Sequence, residues 1–323
     1  MFTMYRLILA ILVNLLPTTL ANGFIENAAI FGDDIKFYPF SQPSYLTQSI
    51  PKLPVTHVDP LQAPVGEFQS KNGKKTLIVL DNDGVLFDKP EDVEKAKALL
   101  KALAANENNE VWVNSARGLG GLGAYRDIPR LNIAAEHGTV LLVSTPEGKK
   151  LELKALHLSA QEVTSAVKRM AGGIRMSLYE GQNSIAYSYK SEASQDVKYM
   201  EQNLQNFLNV EHPDFMIRLE GDKNYGEVKH MNPDKGNFLA HLMATGRYAN
   251  GLSMGDQESD EGMFKAMIQA NAQIGGSRFY SVIVSKIPNQ QTSAEYRLRN
   301  PQEVHQFLSK LILPQHAGFY PYW

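Results

Sequence analysis

The 323-residue chain contains no cysteine. Disulfides and thiolate metal sites are therefore excluded, and the redox compartment cannot be read from thiols. Basic excess is missing too. The 32 Lys and Arg residues face 34 Asp and Glu, a net charge of −2, without the clustered positive charge of a nucleic-acid footprint. No internal repeat is visible. The one long apolar stretch, Leu7–Leu16, falls well short of the roughly 20 residues that cross a bilayer. What is present is a globular balance, 43% apolar and 20% charged. The length suggests about two domains at ~150 residues each.

Residues 1–21 fit the three-part pattern of a secretory signal peptide. Arg6 precedes the apolar stretch, Pro17 breaks it, and Thr19-Leu20-Ala21 offers a small-x-small cleavage site before Asn22. The pattern implies a secreted or periplasmic protein with no stable membrane insertion after cleavage. Residues 22–72 are proline-rich and aperiodic, an extended lead-in segment.

From Lys75 onward strands and helices alternate, which predicts a parallel sheet covered on both faces. Strands are expected at Leu77–Leu80, Glu110–Asn114, Leu131–Ala134, Val140–Val143, Ala249–Met254 and Phe279–Val284. Helices are expected at Pro90–Leu103, Lys235–Thr245, Asp260–Ala270 and Pro301–Leu313. Residues 147–226 form a unit of another character, with helix, hairpin, helix and strand in that order. It suits a small lid inserted into a larger domain made of 73–146 and 227–323.

Three strand ends carry chemistry. Leu77-Ile78-Val79-Leu80 ends in Asp81-Asn82-Asp83-Gly84. Two carboxylates at the carboxyl end of a buried strand are costly without a cation, and Mg2+ takes such oxygen ligands together with phosphate. An ordinary Asp-Gly turn is the plainer alternative. Val111-Trp112-Val113-Asn114 ends in Ser115, a hydroxyl that suits a phosphoryl oxygen or a helix cap. Leu252-Ser253-Met254 ends in Gly255-Asp256, followed by the acids Glu258, Asp260 and Glu261. Lys235 opens a helix, where a lysine is unfavourable against the dipole unless it has an anion to meet.

These four stretches, in this order, resemble the motifs of the haloacid dehalogenase (HAD) phosphatases. Gly255-Asp256-Gln257-Glu258-Ser259-Asp260-Glu261-Gly262-Met263-Phe264 is similar to the Gly-Asp-Asp-x-Thr-Asp-Glu-x-x-Phe of trehalose-6-phosphate phosphatases. Glu227-Val228-Lys229-His230, Glu136-His137-Gly138 and Ala186-Tyr187-Ser188-Tyr189-Lys190 resemble further motifs of that family. The resemblance implies a HAD-like Rossmannoid α/β core with a parallel sheet and an inserted C2-type α/β cap. It implies Asp81 as nucleophile, Asp83 as general acid/base, and Ser115 and Lys235 on the phosphoryl oxygens. Mg2+ would sit on Asp81, Asp83 through its carbonyl, and Asp256, with Asp260 in support. Arg117, Glu136, Tyr189, Lys190 and Glu227 would bind the substrate.

The chain departs from the family at Gln257, and at Ser188, Lys190 and His230 where the family has His, Arg and Pro. The catalytic set is intact, whereas the sugar-reading positions are altered. The expected activity is Mg2+-dependent hydrolysis of a sugar phosphate, with trehalose 6-phosphate first. A phosphatase for another sugar phosphate such as sucrose phosphate, and a non-catalytic secreted binding protein on the same fold, are the alternatives. Oligomeric state is not readable.

Overall fold

The computed structural model describes residues 36–38, 50–60, 68, 73–154, 157–220, 224–231, 234–273 and 277–312. The expected signal segment 1–21 lies outside the described residues, as does most of the lead-in 22–72. No helix among the described residues is long and apolar enough to cross a membrane.

The lead-in contributes two short strands, β1 (Lys36–Tyr38) and β2 (Leu53–Pro54). Then come β3 (Lys75–Leu80), α1 (Val93–Ala105), β4 (Asn109–Asn114), β5 (Leu131–Ala135), and the hairpin β6 (Val140–Thr145) and β7 (Gly148–Lys154). The next unit is α2 (His157–Met170), β8 (Met176–Glu180), β9 (Ser184–Tyr189), α3 (Ser194–Glu211), β10 (Phe215–Glu220) and β11 (Tyr225–His230). The chain continues through α4 (Lys235–Met243), β12 (Tyr248–Gly255), α5 (Glu261–Gln273) and β13 (Arg278–Val284). It closes with β14 (Gln291–Thr292), β15 (Tyr296–Leu298) and α6 (Pro301–Ile312).

The large sheet has the order β1-β7-β6-β5-β4-β3-β12-β13-β15. From β5 to β15 every neighbouring pair is parallel. The expectation of a parallel sheet fails only at β6 and β7, which run antiparallel to their neighbours on the β5 side. A short turn can join antiparallel strands, whereas a parallel return needs a crossover. β3, β4 and β12 are buried along almost their whole length, as strands covered on both faces must be. Successive residues of β3 serve opposite sides. Ile78 and Leu80 pack with Leu100 of α1 and Leu308 of α6. Leu77 and Val79 pack with Phe238 of α4 and Phe264 of α5.

The small sheet, β10-β11-β9-β8, is antiparallel throughout. Its apolar face carries Ile185, Tyr187 and Val228, which pack on Val163 and Val167 of α2 and Leu204 of α3. The two sheets divide the chain at places other than the expected 147 and 226. β7 belongs to the large sheet, because its alternating Leu151 and Leu153 join that core. β11 belongs to the small sheet, between β10 and β9. The small sheet and its two helices therefore take their described residues from 157–220 and 224–230.

Candidate active site

The carboxyl edge of the parallel strands gathers the polar residues. Leu80 of β3 is in register with Val113 of β4 and Met254 of β12, so Asp81, Ser115 and Asp256 follow three adjacent strand ends. The Asp81 N–H still donates to the Met254 carbonyl at 2.9 Å, fixing the backbone at the carboxylate. Lys235 is delivered by α4. The Asp234 side chain caps that helix by accepting from the Asn237 N–H at 2.7 Å. Asn114 donates to the Lys235 carbonyl at 3.2 Å, tying the helix start to the end of β4. α4 and α5 cross where glycine meets glycine. A Cβ on Gly236 would lie 2.4 Å from the Gly262 backbone.

That crossing brings Lys235 between two acids. Its Nζ is 2.7 Å from Asp81 Oδ1 and 2.7 Å from Asp260 Oδ1, and the side chain is 1% exposed. Burial works against the ammonium charge, but Asp260 and Asp81 outweigh it and hold Lys235 above its ordinary range. The other oxygen of Asp260 accepts the N–H groups of Asp256 and Gln257 at 2.9 and 3.0 Å. The acidic run after β12 is thus only partly a solvated face, with Glu258 exposed. Asp260 and Glu261 are both buried, and Glu261 accepts from Thr292 Oγ1 at 2.6 Å and the Ser293 N–H at 2.8 Å.

The residues fit a hard divalent cation. Asp81, Asp256 and Asp260 each place a carboxylate oxygen within 4.8 Å of the others. Burial pushes the Asp81 carboxyl up, against the pull of Lys235. Burial, and then repulsion from Asp81 and Asp260, raises that of Asp256. Asp256 Oδ1 is buried without a hydrogen-bond partner, and a cation would satisfy it. Gly84, with φ +73°, leaves room here, since a Cβ would fall 2.2 Å from Asp256 Oδ2. Both oxygens of Asp260 are engaged, so Asp81 and Asp256 are the carboxylates able to hold the ion, and Asp260 orients its surroundings. An all-oxygen donor set suits Mg2+.

Asp83 stands at the mouth and is held by Arg117 in a two-pronged ion pair, Nε to Oδ2 at 2.6 Å and Nη2 to Oδ1 at 2.8 Å. Arg117, expected on the substrate, is committed to Asp83 here. Its N–H donates to Ser115 Oγ at 3.1 Å, so one short loop sets both the hydroxyl and the guanidinium.

The expected substrate-binding residues divide three ways. Glu227, on β11, is buried against the large domain, with both carboxylate oxygens 3.1 Å from His137 Nε2. Glu136, on the turn after β5, spends its oxygens on the small domain, accepting from Gln182 N–H, Asn183 N–H and Ser184 Oγ at 2.7, 2.7 and 3.2 Å. Tyr189 is the third case: partly buried, it packs against the small domain's own core, on the side of Glu201 in α3. Strand residues alternate sides, so the open face of β9 belongs to Ser184, Ala186 and Ser188. Lys190 is exposed just past the strand. Sequence reasoning missed Tyr179, which lies 3.1 Å through its hydroxyl from Ser188 Oγ on that open face. Tyr225 of β11, opposite Ser188 in the register, lies near enough to Arg117 to act on its charge. The period-2 pattern of Ser184–Tyr189, followed in the other register, would have pointed to Ser188.

A family model described as trehalose-phosphatase matches residues 79–302. Probable trehalose-phosphate phosphatase D of Arabidopsis thaliana is 24% identical over 266 residues, 76% of this chain and 69% of that protein. Among solved structures, the trehalose-6-phosphate phosphatase of Aspergillus fumigatus (crystal form 2) matches at a TM-score of 0.53 and 21% identity, covering 80% of this chain and 99% of that one. The C-terminal domain of the C. albicans trehalose-6-phosphate phosphatase matches at 0.63 and 20%, covering 80% and 98%. A haloacid dehalogenase-like hydrolase from Bacteroides thetaiotaomicron matches at 0.53 and 14%, covering 74% and 100%. These structures establish the HAD fold. The family match runs from β3 to the start of α6 and takes in Asp81, Ser115, Lys235 and Asp256, so the chain belongs to the trehalose-phosphatase family, phosphoric monoester hydrolases on a HAD fold.

Proposed function

We propose that the protein hydrolyses a sugar phosphate, trehalose 6-phosphate first, in a Mg2+-dependent reaction through an aspartyl phosphate on Asp81. The observation that carries this reading is the buried Lys235 between Asp81 and Asp260, beside an Asp256 oxygen without a partner. A binding module has no need of that costly arrangement.

Asp81 forms the bond to phosphorus as the sugar oxygen leaves with its electron pair. Asp83, once it has left the Arg117 pair and taken up a proton, gives that proton to the leaving oxygen, while Ser115 and Lys235 hold phosphoryl oxygens. In the second half Asp83 takes a proton from water, the water oxygen attacks phosphorus, and the bond to Asp81 breaks. Asp81 and Asp256 would hold Mg2+, which would supply the charge that lets an anionic phosphate approach an anionic nucleophile. The open face of the small sheet, with Tyr179, Ser188 and Tyr225, supports a role in reading the sugar half.

Ser188, on that open face, stands where the resembling family has histidine. This favours a second reading, a phosphatase for another disaccharide phosphate such as sucrose phosphate. A panel of sugar phosphates with Mg2+, assayed by phosphate release, tests both. The expected result is the highest kcat/KM for trehalose 6-phosphate. A higher value for sucrose phosphate selects the second reading. No sugar phosphate above a generic aryl phosphate overturns both, and no release from any ester leaves a binding protein.

The tripartite N-terminus supports export. N-terminal sequencing of exported protein should begin near Asn22, and an intact Met1 form recovered in membranes would contradict that.

A further inference from the structure

The turn after β5 has an unusual backbone. Glu136, His137 and Gly138 all have positive φ, at 49°, 57° and 83°. Two non-glycine residues in succession in the left-handed region cost of the order of 1–2 kcal/mol each. What holds them there joins three parts of the molecule. The Glu136 N–H donates to the Arg117 carbonyl and the His137 N–H to the Ser115 carbonyl, both at 3.0 Å. The turn is therefore fastened to the loop that carries the phosphate-facing hydroxyl and the partner of Asp83. On its other side, a Cβ on Gly138 would lie 2.6 Å from Phe238 in α4, the helix of Lys235. The two side chains then point away from the large domain. Glu136 takes two backbone N–H groups and a hydroxyl from the tip of the β8–β9 hairpin, and His137 meets Glu227 on β11. Glu136, His137, Asn183 and Glu227 are each no more than 3% exposed.

A carboxylate is a strong acceptor for N–H groups that have nothing else to bond. The hairpin tip forms a socket around it. Gly181 approaches so closely that a Cβ would sit 2.6 Å from the Glu136 carboxyl carbon. Gly118, in the loop after β4, has its own Cβ position 3.7 Å from the Gly181 α-carbon.

We infer that Glu136 is a positioning residue, the latch by which the small domain closes over the catalytic edge: its carboxylate captures the Gln182 and Asn183 N–H groups, and so fixes the sugar-reading face relative to Ser115, Arg117 and Asp83. Closure of this kind matters for a substrate that reaches the small domain and little for one that does not. The kinetic half of this inference rests on the sugar-phosphate reading; its hydrogen-exchange half does not.

The test uses the full chain with Glu136→Gln, Gly181→Ala and the double variant. Glutamine turns an amide NH2 toward an N–H donor, and alanine at 181 displaces the carboxylate from the other side. Amide exchange at Gln182 and Asn183 should quicken about 10- to 100-fold in either single variant. KM for trehalose 6-phosphate should rise by a similar factor, with hydrolysis of p-nitrophenyl phosphate within about 3-fold of the parent. The double variant should be no worse than the worse single one, because both break the same contact. Unchanged exchange at the hairpin tip, parallel loss for both substrates, or multiplying losses in the double variant would each overturn the latch. Quickened exchange with no sugar phosphate hydrolysed by any form would leave the latch standing and remove the substrate reading instead.

Discussion

The catalytic edge of the large sheet and the open face of the small sheet hold their polar groups in opposite ways. At the edge, the large domain's side chains satisfy one another. Lys235 bridges Asp81 and Asp260, and Asp260 in turn accepts two N–H groups. That geometry follows from strand register and from a helix crossing, and it needs nothing from the small domain. Among the described residues, the open face meets the catalytic edge through Tyr225 and Arg117. It is placed by the contacts of Glu136 and Glu227, and which of its residues look down depends on alternation along β9 and β11. Chemistry and recognition are thus built with different tolerances. The first is fixed by buried ion pairs, the second by register and by closure.

The difference can be pressed at several points. The largest effect should come from Asp83→Asn. In a single-turnover measurement of phosphoryl transfer to the enzyme, it should cost about 10²–10⁴-fold for a sugar phosphate. The cost should be much smaller for p-nitrophenyl phosphate, whose leaving group needs no proton. Equal loss would mean that the Arg117–Asp83 pair serves structure and not proton transfer. Next comes Lys235→Met, which removes the cation between Asp81 and Asp260 and leaves the Asp260 carboxylate buried without it. Urea unfolding at pH 7 should show a loss of roughly 3–5 kcal/mol. A change under about 1 kcal/mol would contradict a self-sufficient catalytic edge.

Metal removal should come third. In the metal-free protein, Asp81 and Asp256 have pKa values raised to about 7 and about 8, far above those of an unfolded chain. The folded state then binds more protons, so stability is greatest below about pH 4 for these groups and declines as pH rises toward 8. Mg2+ at about a hundred times its dissociation constant should return roughly 2.7 kcal/mol at pH 8. The melting temperature would then rise by about 5 °C or more. No shift with Mg2+ would remove the metal site. The smallest effect belongs to Tyr189→Phe, which should leave KM for the sugar phosphate within about 2-fold, because that ring packs against the small domain's core on the helix side. A tenfold change would restore Tyr189 to the substrate and contradict the register of β9.

The same contrast explains what could be read from the amino-acid order. Asp81, Ser115 and Asp256 are legible because each ends an apolar run, and a buried strand ending in a polar group has one place to be in a parallel sheet. Lys235 is legible because a lysine opening a helix calls for an anion. The helix crossing at Gly236 and Gly262 is not, since it depends on residues 26 positions apart with no side chains to pattern. In the small domain a one-residue shift exchanges the two faces of a strand, and Tyr189 lies on the face toward the helices. β7 went to the wrong domain because its lysines and glutamate resemble a surface segment. Its alternating Leu151 and Leu153 were the available signal. β11 was overlooked because Glu227 and Lys229 interrupt its apolar pattern on the open face.

The central claim is that Asp81 itself carries the phosphoryl group. Rapid acid quenching of the full chain mixed with trehalose 6-phosphate and Mg2+, followed by mass spectrometry of the peptide spanning β3 and Asp83, tests it directly. A transient phosphoryl group on Asp81 that decays as phosphate appears is expected, with none in Asp81→Asn. Steady phosphate release with no label at Asp81 at any quench time would contradict it.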